Sequence, residues 1–369
     1  MTNNVIFRVG GALLGLGLVV GAQAGSKPSL LLELPDQCNT PDGGTVAPWG
    51  EVIVSMPNFN NDALIEKGLL KKPAPPRIMK ITKKGKLRPF YRFQPDDLHP
   101  ETKVVGPMDC AFGPDGHLYL ADNQGPSGKF QSRLLRIEVK DGKAVGCEPV
   151  VLGFGVSNAV AWKGDTVYVS DTVMIPADQE KEGSKLISGV YAIPSKDWAD
   201  GPVQLAKPTA DATDPRLIAR YETSGRIGYG ADGLTFDGKG NLYCAIFEDG
   251  LVYRTAFDKK GKAKAPELFA KDPKMASADG MEWRKADNKF YIADMLNNAV
   301  QVVSMDGSVS TLHQNGDTDG GDGLLDQPCE VVIHGDRLIV MNMDWWWDCE
   351  FLTNTKVDRP FTISVFELK

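Results

Sequence analysis

The sequence predicts an all-β fold: a six-bladed β-propeller whose N-terminal strand closes the last blade. Three observations predict it. A hairpin motif recurs six times, strand-like runs fill the gaps between copies, and the end of the chain lacks one strand that the beginning has to spare.

The motif is clearest in "MDCAFGPDGHLYLAD", Met108 to Asp122: a polar residue, a short apolar strand, a turn, then a strand ending in Ala-Asp. Further copies are "NAVAWKGDTVYVSD" (Asn158–Asp171), "ADGLTFDGKGNLYCA" (Ala231–Ala245), "ADGMEWRKADNKFYIAD" (Ala278–Asp294) and "PCEVVIHGDRLIVMNMD" (Pro328–Asp344). A degenerate copy, "PDGGTVAPWGEVIVS", spans Pro41 to Ser55. Between copies lie "RIMKIT", "RLLRIEV", "GVYAI", "LVYRTAF" and "AVQVVSM", so each repeat holds material for about four strands, one propeller blade. The last copy is followed by one clear strand, "FTISVFEL". "SLLLELP" near the N-terminus supplies the missing partner and leaves no open edge. Helical periodicity is short, best in "NNDALIEKGLL" around Ala63. Two β-sandwiches are the rival architecture, but they give no reason for an evenly recurring polar residue.

Residues 1–24 read as a signal peptide: Arg8, an apolar run from Val9 to Ala22, and small residues before Gly25. The run is short for a membrane span of roughly 20 residues. Residues 25–369 then form one domain, periplasmic or secreted, with no further membrane segment. The formal net charge is −7, and loss of Arg8 makes it −8. The absence of a basic stripe excludes nucleic acid as a partner. The six cysteines form no CxxC pair, against a zinc ribbon or thioredoxin-type site. Cys38 and Cys349 lie where the chain returns to one face and are expected to form a disulfide, with Cys110 and Cys244 free in inner strands.

The residues that open the repeats are Asp42, Asp109, Asn158, Asp232, Asp279 and Glu330, separated by 47 to 74 positions. A propeller brings the starts of its inner strands to one mouth of its channel, where five carboxylates would crowd. Like charges within about 4–6 Å oppose ionisation, and a bound cation relieves them. Donors that are all oxygen favour Ca²⁺, with Mg²⁺, Mn²⁺ or Zn²⁺ as alternatives. Asp115-Gly116 and Asp237-Gly238, between the strands of their hairpins, read as turns. No GxSxG elbow occurs, and His99, His117, His313 and His334 are scattered. The acidic "GDTDGGDG" at Gly316 lacks EF-hand ligand spacing and reads as a solvated loop, with a second cation as the alternative. "DWWWD" follows the second strand of the last blade. Asp344, Trp345, Trp346 and Trp347 are therefore candidates for a substrate-pocket wall, against a wedge between the first and last blades.

"MDCAFGPDGHLYLAD", "SNAVAW…VYVSD" and "ADGLTFDGKGNLY" resemble the senescence-marker-protein/gluconolactonase family, which includes regucalcin; diisopropylfluorophosphatase and paraoxonase belong to the wider group. The resemblance covers nearly the whole chain after Gly25. It implies a six-bladed propeller with a divalent metal in the channel and lactone hydrolysis. Matched in blade order, it puts the metal on Asp42, Asn158, Asp232 and Asp279. The family's first-blade Glu is Asp42 here and its fourth-blade Asn is Asp232, while Asp109 and Glu330 add charge. The expected function is an exported, metal-dependent hydrolase of a lactone or related ester acting on a small molecule, with Asp279 as base and Asp232 as second choice. The alternative is a non-catalytic, metal-stabilised propeller that binds a small molecule or protein. A quinone-cofactor sugar dehydrogenase ranks last, since no His and Arg cluster is in view. Oligomeric state is left open.

Overall fold

The computed structural model describes residues 27–178, 180–209 and 214–369; the expected signal peptide, 1–24, lies outside the described residues. Six antiparallel sheets follow one another along the chain, and this is the predicted six-bladed propeller. Blade 1 runs Gly44–Val46, Val52–Met56, Arg77–Ile81 and Leu87–Arg92 from the inner strand outward. Blade 2 is Pro107–Phe112, Leu118–Asp122, Ser132–Lys140 and Lys143–Phe154. A two-residue fifth strand, Val203–Gln204, adds to blade 2 in parallel. Blade 3 is Ser157–Lys163, Thr166–Ile175, Leu186–Pro194 and Leu217–Thr223. Blade 4 is Ala231–Phe236, Leu242–Ile246, Leu251–Thr255 and Glu267–Lys271. Blade 5 is Met281–Arg284, Lys289–Asp294, Ala299–Ser304 and Val309–Gln314.

Blade 6 takes three strands from the C-terminal part of the chain, Pro328–His334, Arg337–Asn342 and Thr362–Glu367. Its outer strand is Ser29–Glu33, antiparallel to Thr362–Glu367, with Ser29 opposite Val365 and Glu33 opposite Thr362. The ring is thus closed by backbone hydrogen bonds between its two ends. The expected short helix is present at Asn61–Glu66.

The strand runs are apolar because most strands are covered on both faces. The second strands of blades 1, 2 and 4 are buried at every residue. Side chains of neighbouring blades share apolar clusters: Tyr119 with Tyr191 between blades 2 and 3, Tyr243 with Phe290 between 4 and 5, Met341 with Val54 between 6 and 1. Burying such rings and branched chains yields roughly 25 cal/mol per Å² and is the main force holding blade to blade.

The acid that ends the motif has a separate job. Asp171, midway along its strand, accepts backbone N–H bonds from Gly155 (2.8 Å) and Val156 (2.7 Å), the turn that enters its own blade. Asp122 holds Gly106 N (2.8 Å), Asp294 holds Ser277 N (2.9 Å), and Asn342 holds Asp326 N (3.1 Å) in the same way. These carboxylates and amides satisfy buried donors that would otherwise be orphaned. Asp122 also forms a buried ion pair with Arg133 at 2.7 Å.

All six cysteines are unbonded, so the expected Cys38–Cys349 disulfide is absent. The two belong to one apolar cluster, but Cys38 is enclosed within it and Cys349 sits half-buried at its margin. Burial pushes the Cys38 thiol up to about 11, which disfavours the thiolate needed for oxidation. Cys110 and Cys244 are free and buried as expected, although Cys244 lies in a second strand rather than an inner one.

Candidate metal centre and substrate cavity

The strand register explains how the inner strands aim their side chains. In blades 2, 3, 4 and 6 the register between inner and second strand shifts at the start of the inner strand: between Pro107 and Cys110, Ser157 and Val160, Ala231 and Leu234, Pro328 and Glu330. A bulge re-aims a side chain that a regular strand would tuck into the seam. The residue just after the strand's first member turns toward the axis: Met108, Asn158, Asp232 and Cys329. Asp42 and Asp279 take the same place in blades 1 and 5, two residues before their inner strands.

The six predicted residues therefore form two tiers. Asp42, Asn158, Asp232 and Asp279 line a cavity of about 70 Å³ at the mouth, with Met108 and Cys329 completing the circle. Asp109 and Glu330, one residue further along, line the channel below it, a chamber of about 340 Å³ that also holds Glu282. The glycines after the upper acids are spacers here, whereas Asp115 and Asp237 are turn residues as expected, accepting His117 N (3.1 Å) and Lys239 N (2.8 Å). A Cβ on Gly43 would lie 2.1 Å from Asp109 Cα, and one on Gly280 would lie 2.3 Å from Glu330 Oε1. Upper Asp-Gly pairs thus clear room for the lower acids of the next blade.

Asn158 Nδ2 donates to Asp232 Oδ2 at 2.7 Å. Asp109 accepts Cys110 N (2.6 Å) and, across the blade boundary, Val160 N (2.9 Å). Glu330 accepts Val331 N (2.7 Å), and Glu282 accepts Ile333 N (2.5 Å) from the next blade.

Burial pushes Asp232 up to about 7, eased by hydrogen bonds with Asp279 and Asn158. Burial likewise pushes Asp109 up to about 7, against the two backbone donors. Asp42 and Asp279 stand well above the usual carboxylate range, first through burial and then through the charge of Asp232. Glu330 is raised by burial and by Asp109, and Glu282 is pushed by burial to about 7. Burial and like charges raise carboxyls in this way where functional sites are built. The donor set, three carboxylates and one amide oxygen, fits a hard cation. The carboxylates stand slightly apart, since no three of them bring ligand oxygens within 4.8 Å of one another. Ca²⁺–O bonds of about 2.3–2.6 Å require side-chain rotation inward.

The tryptophan segment divides. Trp345 and Trp347 stack at 5.1 Å and line the mouth cavity. Trp345 meets Phe59 at 6.2 Å, and Trp347 meets Tyr229 at 6.0 Å and Phe247 at 6.1 Å. Trp346 points away, 52% exposed, with Lys67 Nζ 3.9 Å from its ring centre. Asp344 is fully buried and is not among the cavity-lining residues; its neighbours are Asp326 and Asp358. None of the four histidines reaches the cavity. Glu282, Asp326 and Asp358 carried no repeat-level signal. Counting register from Pro107 and Pro328 would have put Asp109 and Glu330 in the lower tier.

No family model matches the chain, and no curated protein does. Solved structures match in fold. A gluconolactonase from Xanthomonas campestris has TM-score 0.53 at 13% identity, covering 94% of this chain and 97% of that one. A quinone-bound aldose sugar dehydrogenase from Streptomyces coelicolor has TM-score 0.55 at 14% identity, covering 93% and 98%. A luciferin-regenerating enzyme has TM-score 0.57 at 10% identity, covering 93% and 96%. The chain therefore shares the six-bladed propeller fold of the gluconolactonases and related propeller enzymes, at low sequence identity.

Proposed function

We propose that the chain hydrolyses a lactone or related ester with a divalent cation, Ca²⁺ first, held by Asp42, Asn158, Asp232 and Asp279. One observation carries this reading: four oxygen-bearing side chains converge at the base of an aromatic-walled cavity on the propeller axis. A bound cation supplies charge stabilisation at an ester oxygen. Trp345, Trp347, Phe59 and Tyr229 offer an apolar body to the substrate and keep water scarce around the acids. Asp279, whose carboxyl is raised above the usual range by burial and by the charge of Asp232, is the proton acceptor in this reading. Asp232, within hydrogen-bonding reach of Asp279, shares that proton, and Asn158 fixes the orientation of Asp232.

Among the described residues no Lys, Arg or His lines the cavity. An anionic quinone cofactor would thus face uncompensated acids, which favours hydrolysis over the sugar-dehydrogenase chemistry of one structural neighbour. Export to the periplasm or beyond accompanies this reading.

The test is a panel of lactones and aryl esters assayed with Ca²⁺, with Mn²⁺ and with a chelator. Turnover that needs the cation and falls about 100-fold or more in Asp279→Asn supports the reading. No turnover on any member with either cation overturns it. If chelation lowers the melting temperature all the same, the non-catalytic binding propeller takes its place.

A further inference from the structure

Beneath the tryptophan segment lies a second group of acids. Asp326, Asp344 and Asp358 each offer a carboxylate oxygen, and these oxygens lie within 4.8 Å of one another; no other His, Cys, Asp or Glu triplet among the described residues does so. Asp326 precedes the inner strand of blade 6, Asp344 follows its second strand, and Asp358 precedes its third. Three separate stretches of chain meet there.

The hydrogen bonding of these side chains is incomplete, and in one direction. Asp326 is 1% exposed and Asp344 0%, yet Asp326 Oδ2 and Asp344 Oδ1 are buried without a partner. Asp358 Oδ1 is also unpartnered. Asn354, fully buried, donates its amide to Asp326 Oδ1 at 2.6 Å and to Thr318 O at 2.9 Å, and its own Oδ1 is left without a donor. Four side-chain oxygens are therefore unsatisfied in one small region. Buried acceptors in such numbers imply a missing donor or cation.

Among the described residues no Lys or Arg side chain forms an ion pair with these acids. Lys67 Nζ donates to Val357 O at 3.2 Å, Lys356 pairs with Asp317 at 3.3 Å, and Arg359 pairs with Asp36 at 3.2 Å and donates to Leu69 O at 2.7 Å, its Nε being left without a partner. Burial, and then the neighbouring carboxylates, push Asp326 up to about 8 and Asp344 up to about 9.

We infer that Asp326, Asp344 and Asp358 bind a hard divalent cation of the Ca²⁺ class, at a site separate from the channel ring. Carboxylate oxygens on irregular backbone suit the flexible coordination of Ca²⁺ better than the strict octahedron of Mg²⁺. The site would organise the cavity wall. Asp344 adjoins Trp345, and Asn60 clasps the same stretch by donating to Asp344 O (2.7 Å) and accepting from Trp346 N (2.8 Å). Trp345 N is in turn held by Gln327 Oε1 at 2.9 Å.

Tb³⁺, a Ca²⁺ substitute whose emission is sensitised by nearby tryptophan, tests this on metal-stripped protein. Wild type should show tryptophan-sensitised emission that Ca²⁺ displaces. Asp358→Asn, at the least buried of the three positions, should weaken that binding at least tenfold, with Asp344→Asn as the second variant. Asp279→Asn should keep it. Unchanged Tb³⁺ and Ca²⁺ affinity in folded Asp358→Asn and Asp344→Asn would overturn the site. Loss of the sensitised signal in Asp279→Asn alone would also overturn it, by placing the only ion in the channel. Retention of the signal by a protein with no esterase or lactonase activity would leave this site standing while the hydrolase reading falls.

Discussion

The Asn158 amide donates a 2.7 Å hydrogen bond to Asp232 Oδ2 across 74 positions of sequence, joining blade 3 to blade 4 at the channel mouth. The bond favours the ionised carboxylate and turns the Asn158 amide oxygen away from Asp232. In Asn158→Ala, Asp232 loses a donor and the mouth loses an oxygen. Cation affinity, read by calorimetry, should fall about tenfold. Asp115→Asn, in a hairpin turn, should leave it unchanged.

The raised acids set a pH dependence. Asp109, Asp232 and Glu282 titrate near 7 in the folded state, against about 4 when unfolded. Between those values the folded state holds more protons, so its stability is present at low pH and is lost as pH rises through about 7. With chelator present, the melting temperature should fall from pH 5 to pH 8. Saturating Ca²⁺ should flatten that slope, because it takes the place of the protons. A flat profile under chelation would contradict the crowding of these carboxylates.

Two glycines that follow aspartates should behave differently. Gly43→Ala drives a methyl into the Asp109 backbone and should cost about 3 kcal/mol in denaturant unfolding. Gly116, at φ +80° in a hairpin turn, has open space around it, and Gly116→Ala should cost about 1 kcal/mol through backbone strain alone.

The three tryptophans should separate in kinetics. Trp345→Ala or Trp347→Ala removes cavity wall and should raise KM roughly tenfold, about 1.4 kcal/mol of lost contact. Trp346→Ala, on the outer side against Lys67, should leave KM alone.

The propeller was legible because apolar hairpins and their turns repeat at blade spacing, and because "SLLLELP" and "FTISVFEL" each lack a neighbour. The mouth was partly legible. Asp42, Asn158, Asp232 and Asp279 recur at one structural position, so a repeat exposes them. Asp109 and Glu330 sit one residue later, and on an inner strand one residue is the difference between the upper cavity and the lower channel. Asp326 and Asp358 were invisible because they come together through irregular chain, which leaves no period to read. The motif's closing aspartates looked like part of the same signal, yet Asp171 and Asp294 are tied to backbone N–H groups and take no part in the cavity.

The pairing of Ser29–Glu33 with Thr362–Glu367 also sets an order of events. During synthesis Ser29–Glu33 is made about 330 residues before its partner. Until then the growing molecule is an open arc with two bare sheet edges, however many blades have already formed. Ring closure therefore waits for Thr362–Glu367, and the span of about 330 residues between the partners makes it a slow step by loop-closure entropy and contact order.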